Sequence, residues 1–362
     1  MSTSYKKRKS TEDDNKNIQV VNDMAQEQLK KCQENCFFST YGLLCLLEML
    51  KEGSTGEMLK SFKELIYDQT VMNIAKSDDV FKNTSLIFRA DCMVWSNKFM
   101  EYLKTNNVLC DSIDLDKLQA RVKEINKVLE KMTNDKIKDA LNPEDFDRDF
   151  VMLLINVLYF KDSWARQFVK GNTIQMLFKN GKNEKIDMMC MYNEDYDYYE
   201  SRTCQYISIP YENYPYKMVV ALTKEGTKSV NLNLDEALQN MKEYKVTKLM
   251  LPKFKIEQEK DLEEECRSMG LGKMFLPSND FDSMFKGSLE KKRISKIKQK
   301  TFINVDEDGT EAACVTHAIM TRESFCFKPK LQKVEFIADH PFSFFVTGPN
   351  NIVLFAGKFY NY

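Results

Sequence analysis

Residues 304–327 read Asn-Val-Asp-Glu-Asp-Gly-Thr-Glu-Ala-Ala-Cys-Val-Thr-His-Ala-Ile-Met-Thr-Arg-Glu-Ser-Phe-Cys-Phe. Gly309 divides this stretch, because glycine adopts backbone angles that other residues avoid. Four small residues follow at every second position and would share one face of an extended chain. These residues are Thr310, Ala312, Cys314 and Thr316. The pattern is compatible with an exposed loop or a central strand, while Glu-Ala-Ala favours a helix over residues 310–320.

Two motifs in this region resemble the serpins, a family of protease inhibitors. Residues 307–313, Glu-Asp-Gly-Thr-Glu-Ala-Ala, are similar to the serpin hinge, and residues 339–342, Asp-His-Pro-Phe, are similar to the block after the serpin reactive loop. The resemblance extends over roughly residues 17–362 and implies a single serpin domain, a mixed α/β body with three β-sheets and about nine helices. It assigns to the hinge Glu307, Gly309, Thr310, Ala312, Ala313, Cys314 and Thr316, within an exposed reactive-centre loop over about residues 307–330.

The block over residues 35–43, Asn-Cys-Phe-Phe-Ser-Thr-Tyr-Gly-Leu, resembles the serpin block that starts a buried helix. Thr40 replaces the usual proline, and Gly42 replaces the second serine of the family pattern. The resemblance implies that Ser39 lies beneath the central sheet, in the region where that sheet opens.

The almost continuous apolar run over residues 151–160 predicts a strand buried on both faces. Asn156 is its one polar member, and a buried asparagine needs hydrogen-bond partners. Serpins often carry a histidine bonded to this asparagine where the present chain has Gln299, and glutamine can also donate and accept hydrogen bonds. We therefore expect the hydrogen bond that holds the sheet closed at this point to be altered and not lost. Trp164, which follows the strand, matches the serpin tryptophan located where the reactive loop begins to insert.

The composition argues against several functional classes. The 362 residues include 53 basic and 54 acidic side chains, with a net charge of −1, so there is no excess of positive charge for a nucleic-acid partner. The two histidines, His317 and His340, leave almost no material for a Ser/His/Asp or Cys/His catalytic centre. The sequence contains no metalloprotease, Walker A or dinucleotide-binding motif. We expect no enzyme activity, no cofactor and no bound metal.

The cysteines and the N-terminus bear on the compartment. The ten cysteines show no paired CxxC spacing, and most lie in apolar runs, as reduced buried thiols do. The N-terminus lacks the apolar core of a signal peptide, and no apolar run approaches transmembrane length. We expect a cytoplasmic protein without membrane attachment, with a disordered polar tail over residues 1–16. The basic cluster over residues 6–9 also fits a nuclear address.

The resemblance implies a suicide inhibitor that forms a covalent complex with a host serine or cysteine protease and acts as a monomer. The Lys-, Asn- and Tyr-rich composition and the drifted motifs resemble the intracellular poxviral serpins that blunt host inflammation and apoptosis. One alternative is a cellular, ovalbumin-type serpin. Another is a non-inhibitory serpin that acts as a protein-binding or chaperone module, although the small, uncharged hinge favours inhibition.

The resemblance also indicates the reactive bond. The usual serpin spacing from the hinge glycine places this bond between Glu323 and Ser324, and predicts an acid-preferring target protease. A loop one residue shorter, as in some poxviral serpins, selects Arg322 and a trypsin-like target. The segment after Ser324 looks longer than in many relatives, so Phe325 or Phe327 remain alternatives that would suit a chymotrypsin-like target.

Overall fold

The computed structural model describes residues 12–67, 71–75, 77–182, 184–224, 232–287, 290–310 and 331–360. The α-helices of this part of the chain are α1 (Glu12–Lys31), α2 (Thr40–Glu52), α3 (Gly56–Leu65), α4 (Asn97–Thr105), α5 (Leu118–Met132), α6 (Leu234–Asn240) and α7 (Glu263–Ser268). The β-strands are β1 (Cys36–Phe38), β2 (Phe81–Ala90), β3 (Leu109–Ile113), β4 (Met152–Phe160), β5 (Asp162–Ser163), β6 (Ile174–Leu177), β7 (Lys185–Glu200), β8 (Cys204–Pro210), β9 (Lys217–Thr223), β10 (Lys242–Pro252), β11 (Phe254–Asp261), β12 (Lys296–Val305), β13 (Gly309–Thr310), β14 (Lys333–Ile337), β15 (Phe342–Thr347) and β16 (Val353–Phe359).

The strands form a seven-stranded and a nine-stranded sheet. The first has the order β3-β2-β4-β12-β13-β5, with β11 also paired to β12. The second has the order β1-β16-β15-β9-β8-β7-β10-β14, with β6 also paired to β7. The predicted mixed α/β architecture is confirmed. The described residues contain seven α-helices, where the resemblance implied about nine. They contain two continuous sheets instead of the implied three, because the long strand β7 pairs with both β10 and β8.

Helix α2 lies between the two sheets and contacts β4 on one side and β16 on the other. Its residues are buried from Thr40 to Leu50, and a helix that is apolar all round is stable only when it is covered on every face. The side chain of Ser39 caps its first turn by accepting a hydrogen bond from the backbone N–H of Gly42. This helix therefore fixes the underside of the seven-stranded sheet.

Strand β4 is buried on both faces, as its apolar run predicts. Leu154 and Leu158 point into the main core, while Leu153 and Ile155 belong to a second apolar cluster on the opposite face of the sheet. Alternate residues of a strand point to opposite sides, so both layers meet on this one strand.

Helix α5 covers that second cluster with Val122, Ile125 and Leu129. Val128 of the same helix does not belong to this face, because the residue is 51% exposed. At 3.6 residues per turn, Val128 is rotated well away from the line through the other three. The helix ends at a turn in which Asn134 and Asp135 have positive φ angles of 51° and 61°, a conformation that asparagine and aspartate tolerate.

Helix α1 begins at Glu12, earlier than the sequence analysis expected. Residues 12–16 therefore belong to a helix and not to the predicted tail, and residues 1–11 lie outside the described residues. Acidic side chains in the first turn, Glu12, Asp13 and Asp14, favour a helix start at this point because the N-terminal end of the helix dipole is positive.

Candidate functional site: the hinge and the sheet-opening region

The centre of the seven-stranded sheet is closed over most of its length. β4 and β12 pair directly in parallel, from Leu153 with Lys296 to Tyr159 with Phe302. Beyond this ladder, β13 lies between β12 and β5 and pairs with both in the antiparallel direction. The sheet is thus open at one end only, and residues 309–310 already occupy the gap there.

Thr310 is completely buried in this gap. Its hydroxyl lies 2.5 Å from the hydroxyl of Tyr211. Gly309 precedes it, and a Cβ atom at this position would overlap the backbone carbonyl oxygen of Asp162. The gap therefore accepts glycine followed by a small polar residue, and it has no room for a larger side chain at position 309.

Trp164 holds the segment that enters the gap. Its indole Nε1 donates to the carbonyl of Asp306 at 2.9 Å, and its backbone N–H donates to the carbonyl of Asp308 at 3.1 Å. The indole stacks on the ring of Tyr211, with centroids 4.6 Å apart. Trp164 was predicted for this region, but Tyr211 was not, because nothing in its local sequence marks it among the many tyrosines.

Charged groups fix the turn that precedes β13. Glu307 is buried, accepts a hydrogen bond from the hydroxyl of Thr173 at 2.7 Å and pairs with Lys253 at 3.0 Å. Burial alone would raise its pKa, but the hydrogen bonds from Thr173 and Lys253 outweigh burial and lower the pKa of Glu307. Asp308 pairs with Lys170 at 2.8 Å. Lys253 is the middle residue of the sequence Pro-Lys-Phe over residues 252–254.

Two further carboxyl groups border the gap. Asp162 accepts hydrogen bonds from the Asn213 side chain at 2.8 Å and from the backbone N–H of Ser163 at 2.9 Å. Burial nevertheless raises the pKa of Asp162 to about 6. Asp306 accepts a hydrogen bond from the backbone N–H of Asp308 at 2.9 Å, and burial raises its pKa as well. Neither carboxyl has enough compensation for the loss of water around its charge.

Gln299 of β12 joins the sheet to the segment beneath it. Its Oε1 accepts from the backbone N–H of Ser39 at 2.8 Å, and its Nε2 donates to the Ser39 carbonyl at 2.9 Å. Nε2 lies farther, at 3.4 Å, from Oδ1 of Asn156. The hydroxyl of Ser39 donates to the carbonyl of Leu354 in β16 at 2.5 Å. Ser39 thus links both sheets, and the main partner of Gln299 is this backbone instead of the strand asparagine.

Asn156 lies fully buried on the inner face of β4. Its Nδ2 donates to Oδ1 of Asn83 in β2 at 2.7 Å. Its Oδ1 occupies the space that a Cβ atom on Gly42 would need. Gly42, which stands where the family pattern has a serine, therefore leaves the space that the side chain of Asn156 occupies.

The remaining predicted site residues lie outside the described residues. They are Ala312, Ala313, Cys314 and Thr316 of the hinge and Arg322, Glu323 and Ser324 of the reactive bond, with the alternatives Phe325 and Phe327. Of the predicted helix over residues 310–320 only Thr310 is described, and it belongs to β13. Within the described ranges, no group of three or more His, Cys, Asp or Glu residues could hold a metal ion, and no helix is long and apolar enough to cross a membrane.

Comparison with known proteins gives a consistent result. The model of the serpin family, serine protease inhibitors, matches residues 15–362. Serpin B6 of Pongo abelii is 28% identical over 364 residues, which cover 91% of this chain and 94% of that protein. Antichymotrypsin-2 of Bombyx mori is 33% identical over 262 residues, 69% of this chain and 68% of that protein. The crystal structure of Serpin48 from the insect Tenebrio molitor matches with a TM-score of 0.83 at 21% identity, over 98% of this chain and 100% of that chain.

Proposed function

The chain belongs to the serpin family of serine protease inhibitors, and we propose that it is an inhibitory member that traps its protease by inserting a cleaved reactive loop between β4 and β12. In this mechanism the protease nucleophile attacks the reactive bond and forms an acyl-enzyme. The freed part of the loop then becomes a new central strand and carries the protease away before water can release it. Loop insertion into a sheet is an established serpin transition.

The observation that carries the proposal is the position of β13. It lies between β12 and β5 and is antiparallel to both strands. If the following residues continued in the same direction, they would replace the parallel ladder between β4 and β12 by two antiparallel ones. Antiparallel pairing is slightly more stable per residue than parallel pairing. The free energy of strand pairing therefore favours insertion once the loop is free to move.

The side chains of the hinge also support insertion. The buried side chain of Thr310 faces Tyr211, and in a continuing strand Ala312, Cys314 and Thr316 would follow on the same face. All three are small and uncharged, so the closed core beneath the sheet could receive them. We also propose the roles of Ser39, Asn156, Trp164 and Gln299 in sheet opening, since their contacts join the two sides of the region that must separate.

The proposal has two finer parts. They are the bait residue, which is the residue directly before the reactive bond, and the class of the target protease. We retain Glu323, before Ser324, as the bait, with Arg322 as the alternative. We further propose that the target is a host serine or cysteine protease, bound by a monomeric cytoplasmic inhibitor in a covalent complex. The viral role stays a prediction, since the relatives named above come from an ape and an insect. A non-inhibitory binding or chaperone role is the second candidate.

The test incubates the protein with a panel of acid-preferring, trypsin-like and chymotrypsin-like proteases. We expect a complex that survives SDS with at least one of them, and mass spectrometry of the small C-terminal fragment to give its first residue. A fragment that begins at Ser324 supports Glu323 as the bait, and one that begins at Glu323 selects Arg322. Cleavage by every protease without any stable complex would exclude inhibition of these classes.

Thr310→Arg is the matched variant, with Thr310→Ser as its control. In the intact variant, residues 309–310 can leave the gap and keep the arginine in water, whereas insertion would force its charge into the buried position beside Tyr211, which costs on the order of 3–5 kcal/mol. We expect the Arg variant to be cleaved as readily as the wild type but to form little complex, whereas the Ser variant forms it normally. An Arg variant with the wild-type ratio of complex to cleaved product would overturn the insertion mechanism.

A further inference from the structure

Asp162 is a buried residue of β5 that the hinge covers. It lies directly opposite Thr310 of β13, and directly opposed residues of an antiparallel pair have their side chains on the same face. On that face Thr310 is itself completely buried. The backbone of Gly309 lies so close that a Cβ atom there would overlap the carbonyl oxygen of Asp162. Residues 309–310 therefore shield Asp162 from water as long as they occupy the gap.

Every hydrogen bond that the Asp162 carboxylate accepts within the described part of the chain comes from a neutral donor. Its Oδ1 accepts from Nδ2 of Asn213 at 2.8 Å and from the backbone N–H of Ser163 at 2.9 Å. Its Oδ2 accepts from the backbone N–H of Asn213 at 3.2 Å. A buried carboxyl group without a cation beside it favours its protonated form. Burial accordingly raises the pKa of Asp162 to about 6, although these hydrogen bonds oppose the change.

The described titratable groups around Asp162 supply no compensating positive charge. Tyr211 of the β8–β9 connection stays neutral, because burial raises its pKa. Glu212 of the same connection is exposed and adds negative charge, and its backbone N–H donates to the carbonyl of Ser163 at 2.8 Å. Asp306, in the turn before β13, is a further carboxyl whose pKa is raised by burial. Two lysines at this turn already pair with other carboxylates, Lys253 with Glu307 at 3.0 Å and Lys170 with Asp308 at 2.8 Å.

We propose that the hinge is pH-sensitive and that Asp162 is its sensor, so that mild acid retains residues 309–310 in the gap and neutral pH favours their release. When these residues leave, water reaches Asp162, and its carboxyl regains an ordinary aspartate pKa of about 3.9. The occupied state therefore binds the proton more tightly than the open state. By linkage, the ratio of occupied to open molecules rises about tenfold from pH 7 to pH 5 and changes little above pH 7. The proposal concerns the occupation of the gap and does not depend on inhibition.

The experiment measures hydrogen exchange of the full-length wild-type protein at pH 5 and pH 7 by mass spectrometry, with each rate corrected for the intrinsic pH dependence of amide exchange. The peptide that contains residues 306–310 reports opening of the hinge, and a peptide from the buried helix α2 reports global unfolding. We expect the hinge to exchange well before α2 and to be about tenfold better protected at pH 5. Equal protection of the hinge at both pH values, or exchange together with α2, would overturn the proposal.

Asp162→Asn tests whether this carboxyl is the sensor, and Asp162→Ser is a second variant that also lacks it. We expect both to lose the tenfold difference between pH 5 and pH 7. The control Glu212→Gln removes the neighbouring exposed carboxyl and should keep the wild-type pH dependence. Asp306 is present in all of these proteins, so the difference between the wild type and the Asp162 variants isolates Asp162. Wild-type pH dependence in the Asp162 variants, or its loss only in Glu212→Gln, would contradict the assignment.

Discussion

Gly42 lies in the first turn of α2, directly opposite the side-chain oxygen of Asn156. Helix positions usually favour alanine over glycine by nearly 1 kcal/mol. Here the intrinsic preference is opposed by space, because a Cβ atom would overlap Asn156 Oδ1. Asn156 cannot easily move away, since its Nδ2 is bonded to Asn83.

We predict that Gly42→Ala destabilises the protein by about 1–3 kcal/mol, the usual range for an overpacked core. The loss should be much smaller, or change to a gain, when Asn156→Ala removes the opposing atom. Chemical denaturation of the wild type, the two single variants and the double variant gives the coupling energy between the two sites. Strictly additive effects would mean that the contact does not determine the residue at position 42.

Asp162 gives a pH-dependent contribution to stability. Its pKa is raised by burial to about 6, so the folded protein binds this proton more tightly than the unfolded chain, in which an aspartate has a pKa of about 3.9. Stability from this group therefore rises as the pH falls through about 6, and the gain is complete below about pH 4.

We predict that Asp162→Asn removes this dependence. The melting temperature of the variant relative to the wild type should be highest above about pH 6 and should decline as the pH is lowered toward 4. Glu48 also has a pKa raised by burial and acts in the same direction, but it is present in both proteins and cancels in the difference. A difference that is constant over this range would show that Asp162 does not titrate there.

Strand β12 carries lysines on the face of the sheet that the connection between α5 and β4 covers. Lys298 is buried and pairs with Asp145 at 2.7 Å and with Glu259 at 2.5 Å. Lys296 pairs with the same aspartate at 2.9 Å. Lys300 donates to the carbonyl of Lys138 at 2.6 Å. These contacts tie β12 to the connection between α5 and β4.

We predict that Asp145→Ala destabilises the protein by about 3–5 kcal/mol, because it leaves the buried Lys298 with a single, partly exposed partner. Glu57→Ala is the control, since it breaks the ion pair with Lys273 in which both side chains are largely exposed. Exposed pairs contribute little to stability, so this variant should unfold like the wild type. The comparison is made by urea denaturation, and equal effects would contradict a structural role for the buried network.

Strands β4 and β12 show how much of the fold can be predicted from local sequence. The run of apolar residues in β4 is a local pattern, and this strand forms where it was predicted. The lysines of β12 alternate with less polar residues, a pattern typical of a strand with one face in water, yet Lys298 is buried. Its partner Asp145 is distant in the chain and is brought near only by the tertiary fold. The partners of Glu307 escaped prediction for the same reason.

The whole molecule combines a closed sheet with one occupied gap. The parallel ladder between β4 and β12 keeps the centre of the sheet shut, while Trp164 and Tyr211 hold the hinge at the open end. Bonds from Gln299 to Ser39 connect the closed part to the layer beneath. If the sheet accepts a further strand, the change must begin at β13 and proceed along β12. The intact chain is then the less stable of two arrangements and persists because its loop is tethered at both ends.

We predict that a single cut within residues 311–330 raises the melting temperature by on the order of 10 °C or more, since a gain of several kcal/mol shifts the transition by this amount. Calorimetry of the intact and the cut protein measures the difference, and the cut Thr310→Arg variant is the control. The variant should gain much less, because insertion would bury the arginine that the intact variant can keep in water outside the gap. If the cut wild type melts with the intact protein, the loop does not insert and the binding or chaperone role becomes the better explanation. An equal gain in both cut proteins would instead show that insertion tolerates a charged side chain at position 310.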